Sequence, residues 1–202
     1  MDQILSLPFR LEILALTLLG WLVIYFFVNR LKVDPQKRLD LGTNLDRRIP
    51  FVPQFAPVYF STYIFVIQPF FILSKATQFY WMLISFASIS LIASLIHALV
   101  PSKIERRENL AEDNIPGWLL SQFQKTCKPY GNFPSMHVGL SVPVVAANFL
   151  AGGMLMGSLS LVWAVLIALS TLFTKQHYIL DVLAGVFSGV LIFSVTFWFF
   201  LN

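Results

Sequence analysis

Six long apolar stretches, each bounded by polar or turn-forming residues, leave this chain very few ways to fold. They run over 11–28, 55–73, 79–100, 138–156, 159–173 and 178–201. About 17–25 mostly apolar residues suffice for a helix to cross the hydrocarbon core of a bilayer. In lipid, only helices and closed barrels keep every backbone group hydrogen-bonded. The alternation that a membrane barrel requires is absent, so the expectation is an all-α, six-transmembrane-helix bundle forming a single domain over 1–202. Composition agrees, with 57% hydrophobic and only 12% charged residues. The fifth stretch is short, about 22 Å at about 1.5 Å per residue. The sixth can therefore start below headgroup level, with His177 in a shallow, partly dry pocket.

The first stretch has one early basic residue, Arg10, a long apolar run and no small-x-small cleavage pattern, and reads as a retained helix rather than a secretory signal. A lone cysteine, Cys127, permits neither an intrachain disulfide nor a CxxC metal clamp. An even number of crossings puts both termini on one side. The segments 30–54, 101–135 and 174–176 then share the opposite face, which carries 12 of the 14 Lys and Arg residues, among them Lys32, Lys103, Arg106 and Lys175. The positive-inside rule makes that face cytoplasmic, but a site for an anionic phosphate also needs cations. Within the segment 108–132, Ile115, Trp118, Leu119, Leu120 and Phe123 recur at helical spacing. That pattern suits an interfacial helix between the third and fourth spans, either a lid or a plain connector. The first loop, 32–53, mixes both signs of charge with several prolines and reads as a solvated linker.

The chemistry-bearing residues sit where apolar runs begin, and ionisable groups at membrane depth are functional candidates by default. His177 and Asp181 are four residues apart and share one helix face. The carboxylate can fix one imidazole nitrogen and leave the other as a nucleophile. His137 opens the fourth span beside Ser135, whose hydroxyl and neighbouring amides suit an anion at a helix N-terminus. A second histidine can protonate a leaving alkoxide. Lys103, Arg106 and Arg107 end on the same face and can hold phosphoryl oxygens. Two other classes compete. A small proton-coupled transporter would place its ionisable residues near the midplane, whereas these cluster at one face. A zinc site built from His137, His177 and Asp181 uses ordinary ligand types, but the surrounding cations oppose it, and no metal or other cofactor is expected. His97 and the G-x-x-x-G of Gly185 and Gly189 read as packing features.

Pro134-Ser135-Met136-His137 and His177-Tyr178-Ile179-Leu180-Asp181 resemble the second and third signature motifs of the type 2 phosphatidic acid phosphatase superfamily, and the likeness extends from Ile49-Pro50-Phe51-Val52-Pro53 through Gly185. The resemblance implies a membrane enzyme that takes the phosphoryl group of a lipid phosphate monoester or diphosphate onto His177, with Asp181 orienting that ring and His137 as general acid. It implies Ser135 and Ser170 at the phosphate. It departs at Thr171, where the family has arginine, and Lys175 is the expected substitute. The first motif is altered, with Arg106 in the arginine role and Lys103 beside it, as in the sphingolipid-synthase-like branch. Water as acceptor gives a phosphatase. An alcohol gives a phosphotransferase moving a phospho-headgroup, as in inositol phosphorylceramide synthase, and short opposite-side loops tilt the reading to hydrolysis. The expected partners are the lipid phosphate and the surrounding membrane lipids, with no nucleic acid. The expected location is the cell membrane as a multi-pass protein. The resemblance puts the site on the exofacial side, against the charge count.

Overall fold

The computed structural model describes residues 2–30, 34–107, 110 and 112–201; Lys32, and Glu108 in the connecting segment, lie outside the described residues. In chain order the helices are α1 (Leu7–Arg30), α2 (Asn44–Arg48), α3 (Ala56–Ile67), α4 (Pro69–Ile72), α5 (Ala76–Leu99), α6 (Ile115–Thr126), α7 (Met136–Phe173) and α8 (Ile179–Leu201). A two-residue parallel pair, β1 (Leu39–Asp40) with β2 (Ser102–Lys103), ties the first loop to the segment after α5.

Among the described residues, five helical stretches are long and apolar enough to cross a membrane: Leu7–Val28, Pro53–Ile72, Ala76–Leu99, Met136–Phe173 and Ile179–Phe200. Six were expected, and the difference lies in α7. Its 38 residues would make a rod of about 57 Å if straight. Gly153, however, has φ 66° and ψ −159°, a backbone conformation outside the helix that glycine adopts without steric cost. The chain folds back there. A Cβ on Gly157 would lie 2.1 Å from the ring of Phe149, although residues eight apart in a straight helix are about 12 Å apart. The expected fourth and fifth stretches are thus the two arms of one hairpin, which returns the chain beside His137.

Small residues let α8 press against the first arm. A Cβ on Gly185 would come within 2.5 Å of the Ser135 carbonyl, and one on Gly189 within 2.7 Å of the Gly139 carbonyl. The G-x-x-x-G face therefore packs inside the chain. Pro69 has no N–H to continue α3, so the helix breaks at Gln68. The buried Arg10 guanidinium collects carbonyls at the end of α4, where the helix stops, donating from Nη1 to Phe70, Phe71 and Leu73 at 2.8–3.2 Å. Lower in the bundle, Gln68 and Asn148 exchange two amide hydrogen bonds of 2.8 Å, joining α3's end to α7. The core gathers Phe70, Phe79, Trp81, Met82 and Phe86, while leucines and phenylalanines along α1 and α8 stay exposed, as lipid-facing surfaces should.

The first loop is not a solvated linker. Thr43 caps α2 in a capping box with Asp46. Asp46 is 6% exposed, and its other oxygen accepts from the Ile179 N–H at 2.7 Å, at the start of α8. A carboxylate there is favoured by the helix dipole. The loop is thereby fastened to the turn that carries His177.

Candidate active site

The turn between α7 and α8 is built to present one imidazole. Lys175 has φ 55°, a left-handed conformation that is uncommon outside glycine. It reverses the chain, so that the N–H groups of Gln176 and His177 both donate to the Thr171 carbonyl, at 2.9 and 3.2 Å. His177 is left 6% exposed with Asp181, 1% exposed, one helical turn beyond. His177 Nδ1–H donates to Asp181 Oδ2 at 3.3 Å, and the same oxygen accepts the Tyr178 N–H at 2.9 Å. That contact assigns the proton to Nδ1 and leaves a lone pair on Nε2. The Asp181 carbonyl accepts the Ser135 N–H at 2.9 Å, which locks the start of α7 to the start of α8.

His137 is brought there by the hairpin. Its Nδ1 lies 3.4 Å from His177 Nε2, and with that tautomer His137 is the donor. Tyr59 and Tyr63 of α3 pack their rings against His137 at centroid distances of 4.8 and 6.1 Å. Phe123 of α6 closes over Tyr59 at 5.7 Å. Both histidines line a cavity of about 910 Å³, together with Arg106, Tyr59, Gln176 and His97. His97 Nε2–H donates to the Pro134 carbonyl at 3.0 Å and so holds the loop that carries Ser135. It is half-buried and lines the cavity, where a packing position away from the pocket was expected.

Arg106 and Lys128 are the cations that line this chamber. Arg106 Nη1 donates to the Cys127 carbonyl at 2.6 Å, and its guanidinium lies 5.5 Å from the Phe123 ring centre. Burial pulls its pKa below the usual guanidinium value, yet arginine keeps its charge in proteins. The other expected phosphate ligands divide. Ser135 is 1% exposed and its hydroxyl is without a partner, two residues before His137 in the chain, but it does not line the histidine cavity. Ser170 is fully buried, but its hydroxyl donates to the Ile167 carbonyl in its own helix. Lys103 is paired with Asp40 at 3.1 Å on the surface and lines neither cavity described here. Lys175 Nζ donates to the carbonyls of Asp46 and Ile49, at 2.8 and 2.6 Å. Desolvation lowers the Lys175 pKa, partly offset by Asp46. Lys175 lines a second, polar cavity of about 470 Å³ that also holds Arg47, Arg107, Glu105 and Tyr178 and meets the histidine chamber at Arg106.

Four side chains at the site went unread in the sequence: Tyr59, Asn132, Gln176 and Asp46. Gln176 Oε1 and Asn132 Nδ2 are buried without partners, and both residues line the histidine cavity. Their adjacency to the motif residues was a signal, since Gln176 precedes His177 and Asn132 precedes Phe133-Pro134. Nothing in the local pattern around Tyr59 or Asp46 pointed to the site. No group of three His, Cys, Asp or Glu side chains among the described residues has metal-binding geometry.

The family model described as the PAP2 superfamily matches residues 47–195, a stretch that contains every residue of the chamber named above. No curated protein matches the sequence. Among solved structures, the crystal structure of Aquifex aeolicus LpxE is similar at 16% identity, covering 87% of this chain and 93% of that chain with a TM-score of 0.47.

Proposed function

Because the chain belongs to the PAP2 superfamily, we propose that it is a membrane lipid phosphate phosphatase working through a phosphohistidine on His177. The observation that carries the reading is the contact of His177 with both Asp181 and His137 at the wall of a large cavity that also holds Arg106. In the first step His177 Nε2 attacks phosphorus, the P–O bond to the lipid breaks, and His137, entering the step as the imidazolium, gives a proton to the departing alkoxide and is left as neutral imidazole. Asp181 holds Nδ1–H and stabilises the ring as it gains positive character. Arg106 and the free Ser135 hydroxyl face the phosphoryl oxygens and offset the charge that develops on them. In the second step His137, now a base, takes a proton from water, whose oxygen attacks phosphorus and breaks the N–P bond. Phosphate leaves and both imidazoles return to their starting states.

The chain crosses the membrane six times, the α7 hairpin contributing two crossings that meet the short turn at Gly153. The site lies on the face where α3 begins and α5 ends, under α6. That helix buries Gly117, Leu120 and Ser121 while exposing Ile115 and Trp118, as a helix lying in the interface would. Lys175 is a brace for the catalytic turn in this reading, and Lys103 a surface ion-pair partner. The polar cavity beyond Arg106 supports a second reading, in which an alcohol enters from that side and replaces water in the second step.

The test is phosphate release from long-chain lipid phosphates by the purified protein, with and without candidate alcohols. The reading expects free phosphate from the wild type and none from His177→Ala. Equal release by the two proteins would refute it, and a labelled lipid–alcohol product in place of phosphate would select the transferase.

A further inference from the structure

Hydroxyls in the apolar interior of a helical bundle usually return to their own helix, bonding the carbonyl three or four residues back. Ser85, Ser141, Ser170 and Thr196 all do so here, to Trp81, His137, Ile167 and Ile192. Thr62 does not. It is 3% exposed, its Oγ1 has no partner, and it lines the cavity that holds the two histidines. A buried hydroxyl left unpaired in this way is destabilising unless something else bonds it.

Its depth says what that is. Thr62 is three residues beyond Tyr59, whose ring packs on His137, so it sits about 4.5 Å further into the membrane along α3. Ser94 lines the same cavity from α5, three residues on the membrane side of His97. One turn deeper, the cavity wall turns to Val66, Ile67, Leu18 and Leu22, with no polar side chain among these four. Trp21 donates Nε1–H to the Ser90 hydroxyl at 3.0 Å, which ties these two deeper polar groups to each other. From the histidines inward the chamber therefore runs from charged, through one narrow hydroxyl-bearing level, to hydrocarbon.

We propose that Thr62, with Ser94 opposite, receives the ester or amide carbonyl that an acyl lipid carries a few bonds from its phosphorus, and that the substrate is an acylated lipid phosphate rather than a prenyl phosphate. The inference rests on the phosphatase reading for the position of the phosphate. A prenyl chain would present only methylenes, methyls and alkene carbons at this level and leave the Thr62 hydroxyl unpaired. An acyl carbonyl accepts its proton, and the tail continues between α1 and α3.

The experiment measures binding, so that its failure is separable from failure of the chemistry. Three non-hydrolysable phosphonates of matched length are compared, one ester-linked, one its ether-linked twin and one prenyl. Affinity is read in detergent by quenching of Trp21, with the other four tryptophans replaced by phenylalanine. The wild-type side chain at 62 is expected to favour the ester over the ether about tenfold, and Thr62→Val, which keeps shape but not the hydroxyl, to erase the difference, a loss of about 1.4 kcal/mol. Ser94→Ala should reduce the preference less. Equal affinity for ester and ether in the parent protein, tighter binding of the prenyl compound, or a preference that survives Thr62→Val would each overturn the proposal. Discriminating binding without any phosphate release from the parent esters would leave it standing and remove the phosphatase reading instead.

Discussion

The two ends of the helical bundle handle buried polar groups in opposite ways. At the end near Arg10, one guanidinium collects three carbonyls where α4 stops, and the N–H groups of Leu5 and Ala76 donate to the Ser74 and Gln3 carbonyls. At the histidine end, Arg106 Nε, Asn132 Nδ2, Ser135 Oγ, Gln176 Oε1 and Asp181 Oδ1 are all buried without partners around two imidazoles. The Arg10 end leaves fewer, among them Arg10 Nε and Trp81 Nε1, on separate helices. Native interiors pair nearly all such groups, so a cluster of exceptions is capacity held for something that binds. One end is finished as structure and the other is left open for chemistry.

That contrast breaks if the same substitution type has the same consequence at both ends. The largest expected effect is at His177. His177→Ala should lower kcat for lipid phosphate hydrolysis by on the order of 10⁴ to 10⁶, the scale of nucleophile removal, with thermal unfolding in detergent little changed. His137→Ala should cost about 10² to 10⁴ on an alkyl phosphate and much less on an aryl phosphate, whose leaving group needs no acid; equal losses on both would remove the acid role. Arg10→Met, at the other end, should leave kcat within a few-fold while lowering stability by roughly 2–3 kcal/mol, from charge-assisted bonds lost to three carbonyls. Lys175→Ala should resemble Arg10→Met more than His177→Ala, with about 1–2 kcal/mol of stability lost and kcat reduced less than tenfold. A loss near 10² in kcat with unchanged stability would make Lys175 a phosphate ligand after all. The smallest effect belongs to Asp40, whose pKa is lowered first by the Gly42 N–H and then by Lys103. A lowered folded pKa adds stability above the ordinary carboxylate range and loses it as pH falls through the folded value. Lys103→Ala should therefore flatten the acid limb of a stability-against-pH curve by under about 1 kcal/mol, because both side chains are more than two-fifths exposed.

Much of the site was legible because its chemistry is local in sequence. A histidine and a carboxylate four residues apart share a helix face, and the structure brings His177 Nδ1 to 3.3 Å from Asp181 Oδ2. His137 was readable as a partner only through the hairpin that glycine at 152–153 permits. The cations were read less well. Charge and spacing place Lys175 two residues from His177, but a left-handed backbone at that residue turns its ammonium to the loop carbonyls. Direction at a turn depends on a dihedral angle that the residue type does not reveal, since lysine is uncommon there. Asp46 was lost among ordinary loop charges because its role depends on a contact 133 residues away. Thr62 looked like one more small residue in an apolar run. Only the path of α7 beside it buries its hydroxyl, in a residue that lines the cavity.

The central claim is a covalent bond between His177 and phosphorus, and rapid labelling with an alkaline quench tests it most directly. The protein is mixed for milliseconds with a lipid phosphate carrying radioactive phosphorus, stopped in alkaline detergent and digested. The account predicts a label that survives base, is lost in acid, and maps to the peptide containing His177, with the His137→Ala protein accumulating it when an aryl phosphate is the donor. Phosphate released at the normal rate with no label on that peptide would contradict it.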